Sequence, residues 1–181
     1  MEIFFVRHGL TQSNIDKRLM GSRIDEPLIP TGYEQILQLI PTLPKDFSLI
    51  FASPLRRAVQ SAQLIADALG IEVQIRNELI ERDSGMCSGK TWPEVEALTQ
   101  GQLSYQKLLA NEELDYVPWG GEAVTQVWDR LEKFLNDVRT SYTNKKILVV
   151  AHGGIIRLMY RKYAQAVMPD LSNASLHSFS I

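Results

Sequence analysis

A single cysteine, Cys87, and only three histidines occur in 181 residues. One thiol cannot close a disulfide within the chain, so stability must come from a packed core, and a reducing compartment suits it. Three histidines without a close pair give no ligand motif for a metal site. No apolar run approaches the roughly 18 residues needed to span a membrane. The opening run, Ile3–Val6, is too short for a signal peptide and runs straight into Arg7. Excess charge is missing as well: 19 Lys and Arg against 21 Asp and Glu leave a net charge of −2. No global basic field therefore points to nucleic acid or an anionic membrane as a partner. Internal repeats, low-complexity tracts and linkers are also absent. The expectation is a cytoplasmic protein with one domain over residues 1–181, long enough for a sizeable core. Oligomeric state is not legible.

What is present alternates. Ile3–Val6, Phe47–Ala52, Ile71–Ile75 and Ile147–Ala151 read as buried strands, with Leu176–Ile181 as a last strand at the sheet edge. Between them lie helical patterns. Thr31 and Glu34 predict a capping box ahead of Tyr33, Ile36, Leu37 and Ile40. Pro54 suits a first turn before Leu55, Val59, Ala62, Ala66 and Leu69, and Gly70 closes that helix. Further helices are predicted from Glu122 to Tyr142 and from Ile155 to about Ala166. This order predicts an α/β three-layer α/β/α sandwich with a mostly parallel central sheet. Residues 85–121 break the rhythm, with one helix capped by Thr91 and Glu94 and four large aromatics, Trp92, Tyr105, Tyr116 and Trp119. An insertion of that size is expected to fold over one end of the sheet as a lid.

Two strands end alike. FFVRHG places His8 after β-type residues, and ILVVAHGG does the same with His152. Ligands of open α/β sheets bind beyond the carboxyl ends of the strands, so both imidazoles are expected at one edge. FASPLRRA adds Arg56 and Arg57 after another strand end, in the first turn of a helix. Arg7 with one of that pair would set two guanidinium forks beside two imidazoles, a pocket for a phosphoryl group. Neighbouring cations keep His8 neutral and nucleophilic, so it can take the phosphoryl group itself. Glu81, in LIERDSG, is the best proton donor for the leaving alcohol, with Asp83 a weaker competitor.

Taken together, R-H-G-x-T-x-x-N (Arg7, His8, Gly9, Thr11, Asn14), G-x-x-x-D-x-P-L (Gly21, Asp25, Pro27, Leu28) and S-P-L-x-R-A (Ser53 to Ala58) form a recognisable series. With E-R-x-x-G (Glu81 to Gly85) and A-H-G-G (Ala151 to Gly154), the chain resembles the histidine phosphatase superfamily, which includes the phosphoglycerate mutases. The resemblance implies His8 as the phosphorylated nucleophile and Glu81 as the proton donor. It implies Arg7, Arg57, His152 and Asn14 as phosphate-binding residues, it selects Arg57 over Arg56, and it implies no metal or organic cofactor. Leu10 stands where the family usually has Glu or Gln, and Ala123 replaces a common Ser.

Other chemistries fail on spacing. A nucleotide-binding phosphate loop ending at Gly89-Lys90-Thr91 would need glycine where Ser84 stands. A cysteine phosphatase would need arginine six residues after Cys87, where Pro93 stands. Within residues 85–121 there is no arginine, only Lys90 and Lys107, against Glu94, Glu96, Glu112, Glu113 and Asp115. An acidic lid disfavours bisphosphorylated substrates. The expectation is thus a metal-independent phosphomonoesterase of the histidine acid phosphatase type, acting on a small phosphate ester. Small relatives with comparable lids include α-ribazole phosphatases and broad-specificity phosphatases. A phosphoglycerate mutase-type phosphotransferase and a catalytically silent phospholigand-binding domain are the alternatives.

Overall fold

Alternation within the first apolar run decides how the chain layers itself. In the computed structural model, which describes residues 1–110, 112–164 and 168–181, the run becomes strand β1 (Glu2–Arg7). Ile3 and Phe5 face one core while Phe4 and Val6 face another, because successive side chains leave a strand on opposite sides. The chain continues through α1 (Gln12–Ile15), α2 (Pro30–Leu39), β2 (Leu49–Ala52), α3 (Arg56–Leu69) and β3 (Val73–Ile75). Then follow α4 (Trp92–Leu98), α5 (Tyr105–Leu109), α6 (Val124–Ser141), β4 (Ile147–Ala151), α7 (Gly153–Tyr163) and β5 (Leu176–Ser180).

The strands lie in the order β3-β2-β4-β1-β5, all parallel except β5, which runs antiparallel to β1. Residues of α6 and α7 cover one face, packing Leu131, Phe134, Ile155 and Met159 on Phe5, Phe51 and Val149. Residues of α2 and α3 cover the other, packing Ile36, Ala62 and Ile65 on Val6, Ile50 and Val150. The three-layer α/β sandwich is the fold. No described helix is long and apolar enough to cross a membrane.

Several local expectations change. The helix over 30–39 has no Thr31–Glu34 capping box: Pro30 occupies its first turn and Ile29 is the N-cap, without a side-chain cap. Proline fits there because the missing N–H would have had no partner anyway. Leu37 does not join the inner stripe and is 54% exposed. Gly32 sets that face instead, since a Cβ on it would come within 2.2 Å of the Leu10 carbonyl oxygen. Gly32 and Ile36, four residues apart, are the buried positions. β3 is a short, partly exposed edge strand rather than a buried one. Pro54 lies before the Leu55 N-cap of α3, while Gly70 does end α3, with a left-handed φ of 67°. α7 begins at Gly153 and ends at Tyr163, and Ala166 lies outside the described residues. The 85–121 segment holds two α-helices, not one; the Thr91–Glu94 box does cap α4. That segment has a small core of its own, built on Cys87, Val95, Leu103, Leu114 and Tyr116.

Candidate active site

Because β1 and β4 are parallel neighbours with Arg7 opposite Ala151, the residues that follow each strand emerge side by side. The two rings, His8 and His152, have centroids 5.3 Å apart. Both are buried, with exposures of 2% and 0%. His8 Nδ1 donates to its neighbour's carbonyl, Gly9 O, at 2.7 Å. A carbonyl only accepts, so the proton is on Nδ1 and the neutral ring's lone pair is on Nε2. Glycine at position 9 answers to packing rather than to the ring: a Cβ would come within 2.4 Å of Gly32 O. Burial, then the charges of Arg57 and Arg7, holds His8 well below the usual histidine range. Burial, then Arg57, His8 and Arg7, holds His152 down likewise.

His152 is oriented by a residue the sequence left without a role. Ser53, at the end of β2, bonds His152 Nε2 at 2.7 Å and accepts from Leu55 N at 3.4 Å. With the hydroxyl donating to Nε2, the proton of His152 sits on Nδ1, which is buried and has no partner among the described residues.

Arg57 is the member of its pair that turns inward. Its side chain is 1% exposed, and Nη1 and Nη2 donate to Ile24 O and Gly21 O at 2.8 and 3.0 Å. Arg56 stays exposed, its backbone N–H held by Asp25 Oδ1. Arg7 donates through Nη1 to Leu171 O. The Nε groups of Arg7 and Arg57 are buried without partners among the described residues, as His152 Nδ1 is. Buried polar nitrogens are almost always paired, so three orphans near one neutral imidazole are the arrangement an anionic ligand could complete.

Glu81 follows the edge strand and reaches the start of α7. Its carboxylate accepts from Arg82 N at 2.8 Å and from Gly154 N at 3.0 Å. A Cβ at 154 would come within 2.4 Å of Glu81 Oε1, so a larger residue there would displace the carboxylate. Asp83, the weaker candidate acid, is instead engaged by Arg23, at 2.6 and 3.0 Å. Asn14 joins the cluster through α1: its Oδ1 accepts from Thr11 N, Thr11 Oγ1 and Asn173 Nδ2. The amide nitrogen of Asn14 is the group that remains for a ligand.

Asn173 was not visible from sequence. It lies 165 residues from His8, just before the last strand, yet its Nδ2 donates to His8 O at 3.0 Å. Ala174 N also donates to Arg7 O, at 3.1 Å. The loop ahead of β5 therefore clamps the backbone at the end of β1, where His8 stands. Asn173→Ala should lower kcat/KM about tenfold and stability by about 1–2 kcal/mol, from the loss of bonds to buried carbonyls. Urea unfolding and steady-state kinetics check this; wild-type values for both would remove Asn173 from the clamp.

Arg7, His8, Asn14, Arg57, Glu81 and Asn173 line a cavity of about 1170 Å³. Of the four aromatics of residues 85–121, Trp92, Tyr105 and Tyr116 line it, whereas Trp119 packs only on the segment's own core. Arg82 lies over the Tyr116 ring at 4.7 Å and donates to Leu114 O and Glu122 O, tying the segment to Glu81. Cations also come from an unexpected side: Arg157 and Arg161 of α7 line the cavity.

Known proteins resemble the chain over almost its full length. It is 31% identical to phosphoglycerate mutase-like protein 4 of Arabidopsis thaliana, covering 99% of this chain and 79% of that one. It is 30% identical to the metal-independent phosphoserine phosphatase of the same plant, covering 97% and 74%. Among solved structures, a mycobacterial glucosyl-3-phosphoglycerate phosphatase complexed with VO3 matches with a TM-score of 0.85 at 25% identity, over 99% of this chain and 90% of that one. A family model, histidine phosphatase superfamily (branch 1), matches residues 3–181, and the chain belongs to that superfamily.

Proposed function

We propose that the chain is a phosphomonoesterase that hydrolyses a small organic phosphate through a phosphohistidine on His8. One observation carries the reading: a buried, neutral His8 with its lone pair on Nε2 sits among three unpartnered buried nitrogens, on Arg7, Arg57 and His152. Arg7, Arg57, His152 and the amide of Asn14 would hold the phosphoryl oxygens. His8 Nε2 attacks phosphorus, the P–O bond to the alcohol breaks, and Glu81 gives the departing oxygen its proton. The Glu81 carboxylate then takes a proton from a water molecule as the water oxygen attacks phosphorus. The P–N bond breaks, and inorganic phosphate leaves with His8 regenerated. Residues 85–121 act as a lid over this site, which supports a small substrate rather than a phosphoprotein.

The phosphatase relatives favour water as the acceptor. A panel containing p-nitrophenyl phosphate, 3-phosphoglycerate, nucleoside monophosphates and α-ribazole phosphate, assayed with a metal chelator, tests the proposal. Release of inorganic phosphate that resists chelation is the expected result. Phosphoryl transfer between glycerates without net phosphate release would make the protein a mutase, and phosphate binding without any turnover would make it a silent binding domain.

A further inference from the structure

Helix α7 starts at the catalytic cluster and carries charge away from it. Gly154 N holds the Glu81 carboxylate, and positions 157 and 161 follow on the same helical face, three and seven residues on. At 1.5 Å per residue they lie roughly 4.5 and 10.5 Å further along the helix axis. Both arginines line the cavity beside Tyr105 and Leu108 of the lid segment. Arg157 Nη1 donates to Leu108 O at 3.2 Å, and Arg161 Nη2 to Glu112 O at 2.5 Å. These bonds hold each guanidinium against the wall of the cavity.

From this arrangement we infer that Arg157, supported by Arg161, is a second anion subsite and selects substrates whose leaving alcohol carries a carboxylate. The inference rests on the phosphatase reading of the same cavity and assigns its specificity. The leaving alcohol departs on the side of Glu81, and Arg157 is the cation next along α7 from that carboxylate. Burial first, then the like charges of Arg161 and Arg7, weigh against the charge of Arg157, with Glu81 and Tyr105 smaller opposing influences. An arginine so placed among like charges gains most from a bound anion.

Carboxylates at the cavity wall argue for one negative charge rather than two. Glu96, Glu112 and Asp170 line the same space, so a second phosphate would meet repulsion that a single carboxylate meets less. A carboxylate also matches one guanidinium fork. The acidic residues expected to repel anions are thus only part of the wall, and α7 supplies the balancing charge.

Two matched pairs of esters test the inference. 3-Phosphoglycerate and glycerol 3-phosphate differ by a carboxylate against a hydroxymethyl group, and phosphoserine and phosphoethanolamine by a carboxylate against hydrogen. In at least one pair the acid should be preferred by about tenfold or more in kcat/KM, mainly through KM, as a charged hydrogen bond allows. Arg157→Gln should bring that ratio close to one, and Arg157→Lys should keep part of it. Ratios near one in both pairs for the wild type, or a preference that Arg157→Gln leaves intact, overturn the inference. p-Nitrophenyl phosphate separates the two levels. Its turnover alongside ratios near one defeats the subsite alone, whereas no turnover of any ester and no phosphoenzyme defeats the phosphatase reading and the subsite with it.

Discussion

Replacing His8 with alanine is expected to lower kcat/KM for every phosphate ester by at least ~10⁴-fold, because loss of a covalent nucleophile removes the whole two-step path. The reason lies in the ring's surroundings. Burial and the charges of Arg57 and Arg7 hold His8 well below the ordinary histidine range. As pH falls through the usual histidine value, the ring therefore stays neutral, and its Nε2 lone pair remains available below that point. The Gly9 carbonyl keeps the proton on Nδ1. No other side chain in the cluster offers this combination: His152 bonds Ser53 through Nε2, and the arginines are donors only. The variant should keep its far-UV circular dichroism and lose the acid-labile phosphoenzyme that rapid quenching should trap in the wild type. A folded His8→Ala protein that still turns over esters would remove His8 as nucleophile.

Glu81→Gln should have the second-largest effect, and one that depends on the substrate. Glutamine keeps the shape and an acceptor oxygen for Gly154 N, yet cannot pass a proton to a leaving alkoxide. Loss of a general acid costs about 10²–10⁴-fold where the leaving group needs that proton. An alkyl ester such as glycerol 3-phosphate should suffer this loss in kcat/KM, which reports transfer of the phosphoryl group to His8. p-Nitrophenyl phosphate, whose leaving group is stable as an anion, should lose far less in the same constant. Its kcat should nevertheless fall, because water attacking the phosphohistidine has lost its base. Stopped-flow mixing should then show a burst of nitrophenolate matching the enzyme concentration. Equal losses in kcat/KM for the two esters would mean that Glu81 is not the acid.

Both variants probe residues that the chain's local patterns exposed. An apolar run stopping at Arg7-His8-Gly9, and another at His152-Gly153-Gly154, is visible because buried parallel strands are apolar throughout and their ends are abrupt. The sandwich followed from the same runs and from the helical stripes between them. Capping was less legible. Thr31 and Glu34 have the spacing of a box, but Pro30 can occupy a first turn and did so, whereas Thr91 and Glu94 obey the same rule and form one. A local motif states what a residue can do, and the chain's packing chooses among the options.

The sequence by itself determined most of the strands, the longer helices between them, and the polar residues that stand at strand ends, because each depends on neighbours a few positions away. It named Arg57 through family resemblance, and the structure separates the pair by burying the Arg57 side chain against Gly21 O and Ile24 O while Arg56 stays exposed. Only the tertiary structure brought Ser53 to His152, Asn173 to the backbone of His8, and Arg157 and Arg161 into a cavity with the acidic segment 85–121. Ser53 and His152 are 99 residues apart, and His8 and Asn173 are 165 apart. No period or spacing rule spans such distances. The order β3-β2-β4-β1-β5 sets them, since it places strand ends together that the chain reaches at widely separated points.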